Sequence, residues 1–364
     1  MRVLFYATDP AWTGSARAFA ALARGLSERG HAVTVVCPPD SALERRLEYG
    51  VYEVLPLPAE ASAAVTTERL RRALQERFVE VVCVHTDREQ VRAAMAARMA
   101  QRAAVLRRVP VGTSPALGAR ARAALRVTGT GLLFATDEDR ELAPRIPTAR
   151  FAPAVVPPGV RAGLYDTVQP VALDALDLAG DDVRLIVCHV DGRGRAQAAT
   201  VLRVVAQLAP RHPGLALAIV GPGSDAEDLR MHAAALRIAR RVRFLGERDD
   251  QLALLARADL AWIVSEGDDG AYAALDAMGL AVPVLADVGA VAGAFVPDGI
   301  AGVALPPGDE YTAAAEVARL LAQPERRAAM GGAGHVRVAR DFGEAAMVDA
   351  FERAALAASD RSQW

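Results

Sequence analysis

The sequence contains no lysine and no asparagine, so all 42 residues counted as Lys+Arg are arginine. That bias runs through the whole chain, and any motif position where other proteins carry Lys or Asn has to be read against it. Cysteine is nearly as scarce: Cys37, Cys83 and Cys188 are widely spaced, and each lies inside or at the end of a strand-like run. Their number and spacing suit neither a disulfide framework nor a zinc site, which leaves buried thiols. The six histidines show no metal-ligand spacing. No run approaches the roughly 20 apolar residues that cross a bilayer. The opening MRVLFYATDPAW has one Arg and a short apolar stretch, so it reads as a first strand and not as a signal peptide. With a formal net charge of -2, nothing calls for nucleic acid as a partner, and a cytoplasmic protein is expected.

What is present is length and a repeating pattern. A chain of 364 residues with 52% hydrophobic content is too long for one ordinary core and predicts two domains. RVLFYA, TGSARAFAALARGLSERG and HAVTVVCP read as strand, helix, strand, with Leu22 and Leu26 on one helix face and Gly30 as the stop. VYEVLPLP, VEVVCVHT, VPVGTS and TGLLFATD continue the series of short buried strands. Proline and glycine crowd together in FAPAVVPPGVRAGLYD, and a second series then opens with VRLIVCHV and runs through LALAIVG, RVRFLG, LAWIV, AVPVLA and GVAL. The pattern predicts an α/β protein of two Rossmann-like, doubly wound domains. Residues 1–165 form the first, 166–341 the second, and 342–364 a closing helix. Ligands of such sheets sit at the carboxyl ends of the strands, so the β-to-α loops are where chemistry is expected, in a cleft between the two domains.

Three loops carry candidate residues. The first, TDPAWTGSARAF, opens a helix with Thr13, Gly14 and Ser15, whose free N–H groups suit an anion or a sugar hydroxyl or simply cap the helix. It lacks the G-x-G-x-x-G glycines of a dinucleotide site. The second, DGRGRAQ, presents Arg193 and Arg195, whose planar donor forks suit the oxygens of a diphosphate. The third, SEGDDGAYAALDAMG, places Asp268 and Asp269 before Gly270, with Asp276 further along. A helix starting at Gly270 or Ala271 would leave N–H groups free for an anion there, with Asp276 accepting from ribose hydroxyls. Asp137-Glu138-Asp139 has the D-x-D form of a manganese site, but it follows Thr136 at a helix start and reads as a cap. His85 and His189 end strands, either as core histidines or as substrate contacts. Between Arg88 and Arg126 stand nine arginines against one acid, Glu89, beside an apolar stripe of Val91, Met95 and Met99. That segment is a solvated face or a contact for a membrane surface or an acidic protein.

The order of these motifs resembles family-4 retaining glycosyltransferases of the GT-B fold. It is carried by TGSARAFAALARGLSERGHAVTVVC, VVPPGVRAGLYD, LAIVGPGSDAEDL, VRFLGERDDQLALLARADL and EGDDGAYAALDAMGLAVPVLADVGAVAGAFVPDGIAGVALPPGD. The resemblance implies two facing domains, a nucleotide-sugar donor held mainly by the second and an acceptor of unknown identity held mainly by the first. It also implies retention of configuration, no metal, no cofactor beyond the donor, and a last helix that crosses back to the first domain. The family's glutamate pair, eight positions apart, falls on Asp268 and Asp276. Asp276 is one methylene, about 1.5 Å, short of a glutamate's reach. The usual Gly-Arg is represented by Cys188-His189, with Arg193 and Arg195 nearest to the Lys that follows. The paired glycines read Thr13-Gly14, with Arg17 matching a frequent Arg, and Pro115 stands for a reaction-centre histidine. No residue is thereby assigned the catalytic step. The resemblance predicts transfer from an NDP-sugar; the alternative is an inactive homologue that binds nucleotide-sugar or serves as a partner subunit.

Overall fold

The structure, a computed structural model, describes residues 1–47, 50, 52–113, 129–143, 152–178, 182–192, 194–287 and 289–360. The chain divides into two compact units. One comprises Met1–Gly159 with the C-terminal helix Glu344–Asp360, and the other Val160–Gly343.

The first unit is built on a parallel sheet of seven strands: β1 (Arg2–Tyr6), β2 (Ala32–Cys37), β3 (Glu53–Pro56), β4 (Val81–Val84), β5 (Ala104–Arg108), β6 (Gly131–Phe134) and β7 (Ala154–Val155). Their order, β3-β2-β1-β4-β5-β6-β7, reverses between β1 and β4, as in a doubly wound sheet. The fifth strand is AVLRR, and not the VPVGTS that follows it. Val109 still bonds to the Leu133 carbonyl, but the chain then turns at Pro110, whose carbonyl accepts from the Thr113 N–H.

Helices Gly14–Glu28, Ala63–Glu76 and Asp87–Ala100 start on Thr13, Ser62 and Thr86, whose hydroxyls each accept a first-turn N–H. The helix Glu344–Asp360 completes this unit's core: Phe351 is fully buried, with its ring 5.6 Å from Phe5, which in turn lies 4.9 Å from Phe19. At its edge Glu344 takes a two-pronged bond from Arg24 at 3.0 and 2.5 Å. Glu352 pairs with Arg29 at 2.6 Å and with His31 at 2.7 Å.

The second unit has six parallel strands: β8 (Arg184–His189), β9 (Leu215–Val220), β10 (Val242–Phe244), β11 (Leu260–Ile263), β12 (Val284–Asp287) and β13 (Gly302–Leu305). All six match expected runs, in the order β10-β9-β8-β11-β12-β13. Apolar side chains such as Ile186, Leu217, Trp262 and Leu285 interlock beneath them. The chain leaves β8 toward one edge and returns to β11 on its other side, so the strand order reverses between β8 and β11. Helix Pro324–Asp341, PERRAAMGGAGHVRVARD, was not among the expected elements, and it carries three glycines of low helix propensity. Gly331 is there for contact: a Cβ on it would lie 1.8 Å from the carbonyl oxygen of Ala281, just beyond helix Gly267–Gly279.

Candidate functional site

The strand order of the second sheet reverses between β8 and β11. Ile263, the last residue of β11, lies in register with His189, the last of β8, so the loops after these strands emerge side by side. Asp191, buried in the first loop, joins them: Oδ1 accepts the Gly194 N–H at 2.7 Å and Oδ2 accepts the Glu266 N–H at 3.1 Å. A second tie is made above it by Nδ1 of His189 and the hydroxyl of Ser265, 2.8 Å apart. Two loops that would otherwise move independently become one floor. His189 is thus a buried histidine serving this floor.

A third loop, after β9, closes on the same place. The guanidinium of Arg195, at the first position of helix Arg195–Leu208, lies against Gly223 of that loop, 3.5–3.6 Å from where a Cβ would project. Arg195 is exposed and has no ion-pair partner among the described residues. A solvent-facing guanidinium over a glycine leaves its donors available to an incoming anion. Arg193 lies outside the described residues.

Helix Gly267–Gly279 points its N-terminus at this floor. It begins three residues before the expected start at Gly270, which corrects the placing of the free donors. The Gly270 N–H already bonds to the Glu266 carbonyl at 3.2 Å, and Ala271 lies deeper in the helix. The N–H groups without an intrahelical acceptor are those of the first turn, from Gly267. Glu266 is the N-cap and makes no side-chain capping bond, so the turn is not closed by its own cap. Gly270 has a packing task instead, since a Cβ there would come within 2.2 Å of the Ser265 carbonyl oxygen. Asp268 and Asp269 occupy the first turn, favourably placed toward the helix dipole. Asp268 and Asp276 are both buried. Oδ1 of Asp276 accepts from the Tyr165 hydroxyl at 2.8 Å.

In the first unit the loop before helix Gly14–Glu28 is capped by Thr13, whose Oγ1 accepts the Ala16 N–H at 3.2 Å. Gly14 and Ser15 follow in the first turn, with Arg17 half-buried behind them. Nε2 of His85 lies 3.0 Å from the Ser15 carbonyl oxygen, and its ring stacks on Phe19 at 4.0 Å. Glu89 organises this end of the sheet. Its carboxylate accepts from the Thr8 N–H and hydroxyl at 2.7 and 2.8 Å, and from the N–H groups of His85 and Thr86 at 3.0 and 2.9 Å. Glu89 and Asp191 escaped the reading of the sequence, although both carry a local sign: T-x-x-E is a capping box, and Asp before Gly is a turn that accepts backbone N–H groups.

The arginine-rich segment is only partly a surface. Arg92, Arg107 and Arg108 are buried: Arg92 reaches the Tyr6 hydroxyl, and Arg107 bonds to Gln90 and pairs with Asp87. Arg88 and Arg98 are exposed beside Met95 and Met99, while Arg120, Arg122, Arg126 and Pro115 lie outside the described residues. Burial pushes the Cys83 thiol up to about 12 and raises Cys37 and Cys188, so none of the three offers a thiolate. Thr136 caps the helix carrying Asp137-Glu138-Asp139, accepting the Asp139 N–H at 3.0 Å. Among the described residues no helix is long and apolar enough to cross a membrane.

Two family models match the chain: a glycosyl transferase 4-like domain over residues 13–154 and glycosyl transferases group 1 over residues 183–337. Among curated relatives, a glycogen synthase of Mycobacterium tuberculosis is 34% identical over 134 residues, covering 36% of this chain and 32% of the relative. A D-inositol 3-phosphate glycosyltransferase of Salinispora tropica is 34% identical over 211 residues, covering 55% and 42%. The chain therefore spans a third to under half the length of the curated relatives it matches. Solved structures share the fold over almost the whole chain. A glycosyltransferase from Rickettsia africae superimposes with a TM-score of 0.80 at 13% identity, covering 98% of each chain. Anabaena Alr3699/HepE, in complex with UDP and glucose, superimposes with 0.79 at 18% identity, covering 97% of this chain and 98% of that one.

Proposed function

We propose that the chain is a glycosyltransferase of the GT-B fold, which transfers a sugar from a nucleoside-diphosphate donor to an acceptor, with retention and without a metal. The observation that carries the reading is the floor at the reversal point of the second sheet. There Arg195, next to Gly194, and the first turn of helix Gly267–Gly279, next to Glu266, adjoin two loops locked together by Asp191 and by His189 with Ser265. Such an array neutralises the charge that develops on a departing diphosphate. Asp276 and Asp268 read the ribose and the sugar, and Arg193 adds a second guanidinium to the diphosphate. The likeness to a fold seen with UDP and with UDP-glucose in the Anabaena protein supports this class of donor. The loop of Thr13, Gly14, Ser15 and Arg17 serves the acceptor side.

The test is calorimetric titration with UDP, GDP and ADP, followed by incubation with the corresponding sugar nucleotides. Binding of one diphosphate in the micromolar range and release of it from its sugar nucleotide are expected. A second reading, a binding subunit without turnover, is favoured by the near-complete enclosure of Asp268 and Asp276. It predicts binding with the sugar nucleotide still intact after long incubation.

The exposed Met95 and Met99 beside Arg88 and Arg98 further support a peripheral contact with an anionic membrane, on its cytoplasmic face. Co-sedimentation with anionic vesicles that falls as salt rises is expected, and equal failure to bind at low and high salt contradicts it.

A further inference from the structure

Tyr165 comes from the short helix Ala162–Tyr165, at the start of the second unit and far in sequence from the helix that holds Asp276. Its side chain is fitted to that helix at two points. The ring fills the space left by Gly279, where a Cβ would lie 2.3 Å from Cε2 and 2.5 Å from Cδ2. The hydroxyl then ends on Oδ1 of Asp276 at 2.8 Å, with Tyr165 6% and Asp276 4% exposed. Packing into the slot needs the ring alone; the hydroxyl adds a directional bond to a carboxylate.

That bond matters because of what Asp276 is short of. An aspartate on a helix has fewer torsions and less reach than a glutamate, so its oxygens serve a ligand only from one orientation. Asp276 is 4% exposed, and the bond from Tyr165 restricts the orientations its carboxylate can take.

We propose that Tyr165 is a positioning residue that sets the Asp276 carboxylate for the hydroxyls of a ribose, and so makes the site selective for ribonucleoside diphosphates over their deoxy counterparts. The inference rests on the donor-site reading given above. A carboxylate already oriented by the Tyr165 bond accepts from a ribose hydroxyl with less loss of rotational freedom, and an aspartate has acceptor sites for more than one donor.

The experiment compares wild type with Tyr165→Phe, which keeps the ring in the Gly279 slot. Whichever of UDP, GDP and ADP binds wild type is titrated by calorimetry beside its 2′,3′-dideoxy analogue, and melting temperatures are recorded for both proteins. Wild type is expected to prefer the ribonucleotide by about tenfold or more, one charged hydrogen bond's worth. Tyr165→Phe is expected to lose most of that preference, with unchanged affinity for the dideoxy analogue and a small change in melting temperature. A variant that keeps the wild-type preference, or that weakens both ligands equally, overturns the role of Tyr165. A wild type that binds none of the three diphosphates overturns the donor site itself, and with it the proposal.

Discussion

Asp191 and Asp287 are both acids at strand ends of the second sheet, and their surroundings give them opposite consequences. Asp191 satisfies two backbone N–H groups, those of Gly194 and Glu266. Asp191→Ala takes the acceptor from the Glu266 N–H, at about 1–3 kcal/mol, while the Gly194 N–H keeps its 3.1 Å bond to the backbone carbonyl of residue 191. The variant should melt lower and bind the diphosphate more weakly, because the floor under Arg195 comes apart. Asp287 ends β12 half-buried, and burial raises its carboxyl above the ordinary aspartate value. An acid whose value is raised by folding stabilises the fold below its unfolded value, about 3.9, and loses that contribution as pH rises through the folded one. Asp287→Asn should therefore raise the melting temperature at pH 7, with the gain shrinking toward pH 3. An equal gain at both pH values contradicts this.

At the scale of the element, the strands of the second sheet were legible because each is a short apolar run between turn residues, and nothing in their surroundings competes with that pattern. β5 was not, because Arg107 and Arg108 look like surface residues until Gln90, Asp87 and the His85 carbonyl are there to take Arg107. Helix Pro324–Asp341 carries glycines that its local sequence does not explain, and Gly331 is accounted for by a neighbour about 50 residues away in sequence, Ala281. Gly331 and Gly332 separate the two effects. Gly331→Ala drives a Cβ to 1.8 Å from the Ala281 oxygen and should destabilise by about 1–3 kcal/mol or more. A Cβ at Gly332 meets nothing within 4 Å, so Gly332→Ala should stabilise by about 0.5–1 kcal/mol through helix propensity. Thermal melts of the two single variants read the opposite signs directly.

At the scale of the whole molecule, motif order carried the two Rossmann-like domains, and residue types carried only part of the candidate site. Arg195 was visible as a cation after a strand. The start of helix Gly267–Gly279 was placed too late, since Gly270 looked like a helix start when its place is packing against Ser265. The hold of Tyr165 on Asp276 joins positions 111 residues apart, a distance that no local pattern spans. The central claim is that the reversal point of the second sheet grips a diphosphate through Arg195. It is tested most directly by titrating wild type and Arg195→Ala with the preferred nucleoside diphosphate and with its nucleoside. Arg195→Ala should lose about tenfold or more in affinity for the diphosphate and none for the nucleoside; equal affinity of both proteins for the diphosphate would rule out a grip through Arg195.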